Sequence, residues 1–193
     1  MACGSHSPSG SVYCLLPENN MTWRAPAFVA ATLALTIFPA RSEDPPAPAV
    51  DRVGFPKDYQ AAFRRLRSSE NGDAKTVIAV YGNVAAAARQ DGNYPYGSVI
   101  VMETWSTRQD AAKKVLLDEA GHFRKDHVTG LHVMRKERGF GEAYRENRTG
   151  EWEYVEYRSD GSYITPPAAS AKCSSCHLKA GAAKDFVFGG KKA

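Results

Sequence analysis

Near the C-terminus, five residues bring two thiols and an imidazole together: Cys173-Ser174-Ser175-Cys176-His177. This C-x-x-C-H spacing is the attachment signature of a c-type haem. Two thiols three residues apart can add across the two vinyl groups of one haem. The histidine that follows can then offer its imidazole to the iron as a metal ligand. Cys173 and Cys176 are therefore candidate haem-binding residues, and His177 is the candidate iron ligand.

Other chemistry uses similar spacing. A zinc half-site would need a second ligand pair, and the chain has no second C-x-x-C and no H-x-x-x-H. A thioredoxin-like redox pair would follow a strand and open a helix. Here the approach is Thr165-Pro166-Pro167-Ala168, which reads as a loop.

Covalent haem attachment in bacteria occurs outside the cytoplasmic membrane, so the sequence should carry an export signal. Met21-Thr22-Trp23-Arg24 forms a short positive n-region, and residues 25–38 form an apolar run of signal-peptide length. Pro39-Ala40-Arg41-Ser42 supplies small residues for cleavage after Ala40 or Ser42. The run is too short and alanine-rich for a membrane span, and no cysteine follows it to carry a lipid. Residues 1–20 are polar and Ser/Gly-rich and do not fit a signal peptide. They read as a mis-called or non-native extension, with translation starting at Met21, the alternative being an extended n-region. Cys3 and Cys14 would leave with this segment, so the mature chain keeps two cysteines and no structural disulfide. A periplasmic location is expected.

Residues 43–55 are a Pro-rich arm, expected to be extended and poorly ordered. Residues 56–193 form one domain. Without Arg24, Arg41 and Glu18, the 25 basic and 21 acidic residues become 23 and 20. The charges are interspersed, a solvated surface with no nucleic-acid partner.

Several elements must position the cysteine run. Residues 57–69 read as a helix, because Tyr59, Phe63 and Leu66 recur at helical spacing between Pro56 and Asn71-Gly72. Residues 75–81 are β-branched and apolar, hence a strand. Asn83 can cap a short helix over 84–90. Residues 98–105 form a second strand, apolar enough to be buried on both faces at its centre. Thr107-x-x-Asp110 resembles a capping box opening a helix over 111–120. Residues 129–137 and 151–158 read as two more strands. The expected fold class is α+β: an antiparallel sheet with a few packed helices and a C-terminal haem-attachment segment. Pairing through the sheet into a homodimer is an accompanying expectation.

Several of these pieces together resemble the cytochrome P-460 family, including its non-crosslinked relatives, the cytochromes c′-beta. Tyr81-Gly82-Asn83-Val84-Ala85-Ala86 is similar to the family's aromatic-x-Asn-x-Ala stretch. Residues 94–101, Tyr-Pro-Tyr-Gly-Ser-Val-Ile-Val, resemble its aromatic-Pro-x-Gly strand opening. Trp152 with Asp160-Gly161 fits its strand-turn region. The haem run followed by Lys184-Asp185-Phe186-Val187-Phe188 is similar to its C-terminal end. The resemblance covers most of residues 57–188. It implies a β-rich homodimer in which His177 is the only protein ligand of one covalent haem, with the opposite iron face open to small molecules. In the crosslinked enzymes a lysine after the Pro-x-Gly opening bonds to the haem edge, and hydroxylamine is oxidised with help from a distal carboxylate. In the c′-beta branch that bond is absent, and nitric oxide or carbon monoxide binds beneath aromatic residues.

The lysine position is Met102 here, and a thioether cannot form that amine bond. Met102 is therefore a candidate residue of the distal or ring-edge pocket, and Lys136 is the alternative crosslinking lysine. Met102 and Met134 are also candidate second axial ligands, though methionine on an apolar strand more often fills core. His132 lies between Leu131 and Val133 and could face a pocket, whereas His122 and His127 read as solvated. Glu103 should point away from Met102, since neighbours on a strand face opposite sides. Glu137 is the other candidate acid, and Tyr81, Tyr94, Tyr96 and Phe123 are candidate distal walls. The leading expectation is an exported monohaem cytochrome that binds nitric oxide or another diatomic gas, with a redox partner protein. The alternatives are a hydroxylamine or nitric oxide oxidoreductase and a six-coordinate electron-transfer cytochrome.

Overall fold

The computed structural model describes residues 45–90 and 92–189. The extension, signal-peptide and cleavage-site expectations, which concern residues 1–42, lie outside the described residues.

Six strands form one antiparallel sheet in sequential order, β1 (Arg64–Asn71), β2 (Thr76–Gly82), β3 (Val99–Thr107), β4 (Lys125–Lys136), β5 (Trp152–Tyr157) and β6 (Tyr163–Thr165). Among the described residues, three short α-helices accompany them: α1 (Tyr59–Ala62), α2 (Val84–Ala87) and α3 (Ala171–Leu178). The fold is α+β and mostly β, as the alternating apolar runs predict. Asn83 caps α2 by accepting from the Ala86 N–H at 2.9 Å. It also accepts from Val99 N–H at 3.0 Å and donates to Gly97 O at 2.7 Å, tying the Pro-x-Gly turn to the start of β3.

Two expected helices are corrected. Of residues 57–69 only four are helical, and Arg64–Asn71 is an edge strand paired with β2. The apolar spacing of Tyr59, Phe63 and Leu66 mimics a helix. A mostly exposed strand rich in arginine has no alternation to reveal it, and its ladder with β2 decides the outcome. Residues 111–120 are not helical either. Asp110 Oδ1 accepts from Ala112 and Lys114 N–H, and Asp118 Oδ1 from Ala120 and His122 N–H, all at 2.9 Å. Each aspartate closes a turn, the local competition that keeps this residue type out of helix interiors.

The sheet has a core on each face. One contains Val80, Ile100, Met134, Trp152, Tyr154 and Val187, with Met102 and Cys173 against it. The other contains Val53, Tyr59, Val101, Leu131, Val133, Val155 and Tyr157. The end of the arm, expected to be poorly ordered, instead packs on this second face. Val53 is buried, Arg52 pairs with buried Glu153, and Asp51 accepts from Tyr157 Oη at 2.6 Å. No described helix is long and apolar enough to cross a membrane.

Candidate functional site

The cysteine run is helical, which its proline-rich approach does not announce. Residues 167–169 form a single 3-10 turn that leads into α3. In α3, Cys173, Cys176 and His177 stand at i, i+3 and i+4, so the spacing places all three on one side of the helix. Ser170 and Ser174 bolt down another side. Ser170 Oγ is 2.8 Å from Tyr144 Oη, and Ser174 Oγ donates to Asn147 O and lies 3.1 Å from Thr149 Oγ1. Both serines are fully buried.

Between α3 and the sheet is a cavity of about 610 Å³, within the range of small-molecule and cofactor sites. Val80, Ile100, Met102 and Met134 supply its apolar wall, and Cys173, Cys176 and His177 face them. His177 packs against Tyr154, with ring centroids 4.6 Å apart, and against Phe188 at 5.3 Å. Its Nδ1 lies 2.7 Å from Phe186 O. A carbonyl can only accept, so Nδ1 carries the proton and Nε2 keeps its lone pair for a metal. Burial holds the imidazole below its usual 6.5, which favours the neutral, ligating form.

The other sequence candidates divide between cavity and elsewhere. Met102, Met134, His132 and Tyr94 line the cavity. Glu103 is fully buried on the opposite face, where Tyr59 Oη and Gln60 Nε2 donate to it and Tyr81 Oη approaches at 3.4 Å. Tyr81 is thereby removed as a distal wall. Tyr96 is exposed and donates to Glu151, and Phe123 lies in the 108–124 loop. Glu137 is occupied by Arg135 at 2.8 Å. His122 and His127 are exposed. Lys136, the alternative crosslinking lysine, does not line the cavity, because its Nζ is bound to Asp185 Oδ2 at 2.6 Å.

Three features of the site escaped the sequence. Glu156 and Lys172 line the cavity, and Asp185 anchors the segment behind His177. Glu156 alternates with Val155 and Tyr157 on β5, and that period was the available signal. Asp185 stood in the C-terminal stretch of the resemblance, but its anchoring role gave no signal because its partners are 33 to 91 residues away.

The two thiols differ. Cys176 is exposed, while burial pushes the Cys173 thiol up to about 11. At pH 8 only about one part in a thousand of Cys173 is thiolate, the reactive form. In the haem-free chain, iodoacetamide at pH 8 should modify Cys176 well before Cys173. Peptide mass spectrometry of a timed reaction reads the order, and equal rates would contradict this burial.

The donor set fits haem: a neutral imidazole with a free Nε2, two thiols in the same cavity and a largely apolar wall facing them. The family comparison places the chain among haem proteins of the cytochrome type. The sequence matches the family described as cytochrome P460 over residues 56–189, and the chain belongs to that family. A comparison with curated proteins gives no match.

Proposed function

We propose that the chain is an exported, monohaem c-type cytochrome that binds nitric oxide or another diatomic gas at an open iron face. Cys173 and Cys176 are the covalent tethers and His177 is the axial ligand. The observation that carries this reading is the Nδ1–H bond from His177 to Phe186 O, which leaves Nε2 free beside both thiols. Bound haem, held by His177 and the two cysteine sulfurs, would supply an iron able to bind a small molecule and to exchange electrons. The chain's own part is to hold the imidazole neutral and oriented and to present a largely apolar wall opposite it.

Periplasmic location rests on the signal-like segment at residues 21–42. A homodimer and a redox partner protein complete the proposal. A hydroxylamine-oxidising enzyme with a lysine–haem bond finds less support. Met102 stands on the expected strand, and Lys136 spends its charge on Asp185.

The six-coordinate electron carrier remains the second reading, because Met102 and Met134 both line the cavity. A ferrous spectrum with and without carbon monoxide separates the two. The open-site protein should be high-spin and shift its Soret band when the gas is added. A low-spin spectrum that ignores carbon monoxide would leave the electron carrier standing. A red-shifted ferrous Soret band before any gas is added would point instead to a crosslinked ring.

A further inference from the structure

Met102, His132 and Glu156 are direct cross-strand neighbours on β3, β4 and β5. Residues opposite one another in antiparallel strands project from the same face, and all three line the cavity. His132 Nε2 lies 3.3 Å from Glu156 Oε1. The second carboxylate oxygen of Glu156 accepts from the buried Thr165 hydroxyl at 2.9 Å. Gly130 makes room for this pair, since a Cβ there would stand 3.1 Å from Glu156 Oε1. A carboxylate that is itself held by Thr165 thus stands ready to pair with the His132 imidazole once it is protonated, within a cavity shared with His177.

We propose that His132, beside Glu156, is the redox-linked proton acceptor of the haem site. His132 binds one proton at its free ring nitrogen for each electron the haem accepts from a one-electron donor, and releases it when that electron leaves. This proposal rests on the haem-binding reading of the cavity, whatever its second axial ligand. The physical cause is Coulombic. Reduction removes one positive charge from the cavity, and a nearby imidazolium then becomes easier to form. The charged or titratable groups around His132 are Glu156 on β5, Lys172 and His177 on α3, and Arg67 on β1 and Arg89 beyond α2, which line the same cavity. Burial, and then Lys172, hold His132 below its usual 6.5, while Glu156 opposes them. In the haem-free chain the balance of these influences favours the neutral imidazole. Proton uptake on reduction extends from His132's oxidised-state value upward to its higher reduced-state value.

The test is a spectroelectrochemical titration of the haem-loaded chain from about pH 5 to 8. In the coupled window the midpoint potential should fall toward ~59 mV per pH unit, the one-electron equivalent of a tenfold change in proton activity. His132→Gln should flatten that window. Glu156→Gln, which removes the charge favouring imidazolium, should move it to lower pH, and it provides a second arm if His132→Gln does not fold. A flat wild-type profile, or an unchanged slope in His132→Gln, overturns the proposal. The titration reads equally well with five or six iron ligands, so an open site disproved by carbon monoxide leaves this outcome independent. A chain without a Soret band overturns both readings before any titration begins.

Discussion

The double variant Cys173→Ser/Cys176→Ser should leave the cell with no haem that survives denaturation. Thioether bonds need sulfur, and serine cannot add to a vinyl group in its place. The change is small in volume, and only Cys173 packs against the cavity-side core, so α3 should persist. Its serine bonds to Tyr144, Asn147 and Thr149 are untouched. Haem staining on a denaturing gel should fall from full signal to background, and the intact mass should lose one haem. Either single variant should retain one thioether and so remain stained at reduced yield. His177→Ala separates tether from ligand. Both sulfurs remain, so covalent haem is kept, but the imidazole that Phe186 O orients is gone and the spectrum should change. Full haem staining in the double variant would remove covalent attachment from the proposal.

The grouping of these residues was legible because type and spacing carry it. C-x-x-C-H contains the same i, i+3, i+4 stripe that α3 realises, even though Thr165-Pro166-Pro167-Ala168 suggested a loop. Strand alternation was equally informative, because a period of two sends Met102 to the cavity face and Glu103 to the other. What failed was decided by contacts far away in the chain. Arg64–Asn71 becomes a strand only through its ladder with Thr76–Gly82, and its exposed side chains show no period. A bulge between Arg65 and Arg67 then brings both Leu66 and Arg67 to the cavity wall, which no alternation rule would give. The pairing of His132 with Glu156 likewise depends on the register of β4 against β5, which the sequence does not state.

The same non-local logic makes Asp185 the residue whose loss should destabilise the fold most directly behind His177. Asp185 and Phe186 both have left-handed backbone, with φ of 51° and 56°. Such a conformation costs about 1–2 kcal/mol for an ordinary L-residue and persists only where its surroundings impose it. They do so here. Asp185 Oδ2 accepts from Tyr94 N–H at 2.9 Å and from Lys136 Nζ at 2.6 Å, and the backbone carbonyl of Asp185 accepts from Trp152 Nε1 at 3.0 Å. Trp152 is fully buried and packs edge-on against Tyr94. The turn so fixed aims Phe186 O at His177 Nδ1. Asp185→Ala leaves a mostly buried Lys136 without its partner and the Tyr94 N–H without an acceptor. Breaking a buried pair from one side costs roughly 3–5 kcal/mol, and urea unfolding of the haem-loaded protein should show a loss of that order. Asp185→Asn keeps a side chain that tolerates left-handed backbone and can still accept from Tyr94, so its loss should be smaller. The two variants should also raise the haem midpoint potential in the same order. Loosening the Nδ1–H bond makes His177 a less basic ligand, which favours the reduced iron. A stable Asp185→Ala protein with unchanged potential would mean that the Phe186 carbonyl holds its place without this anchor.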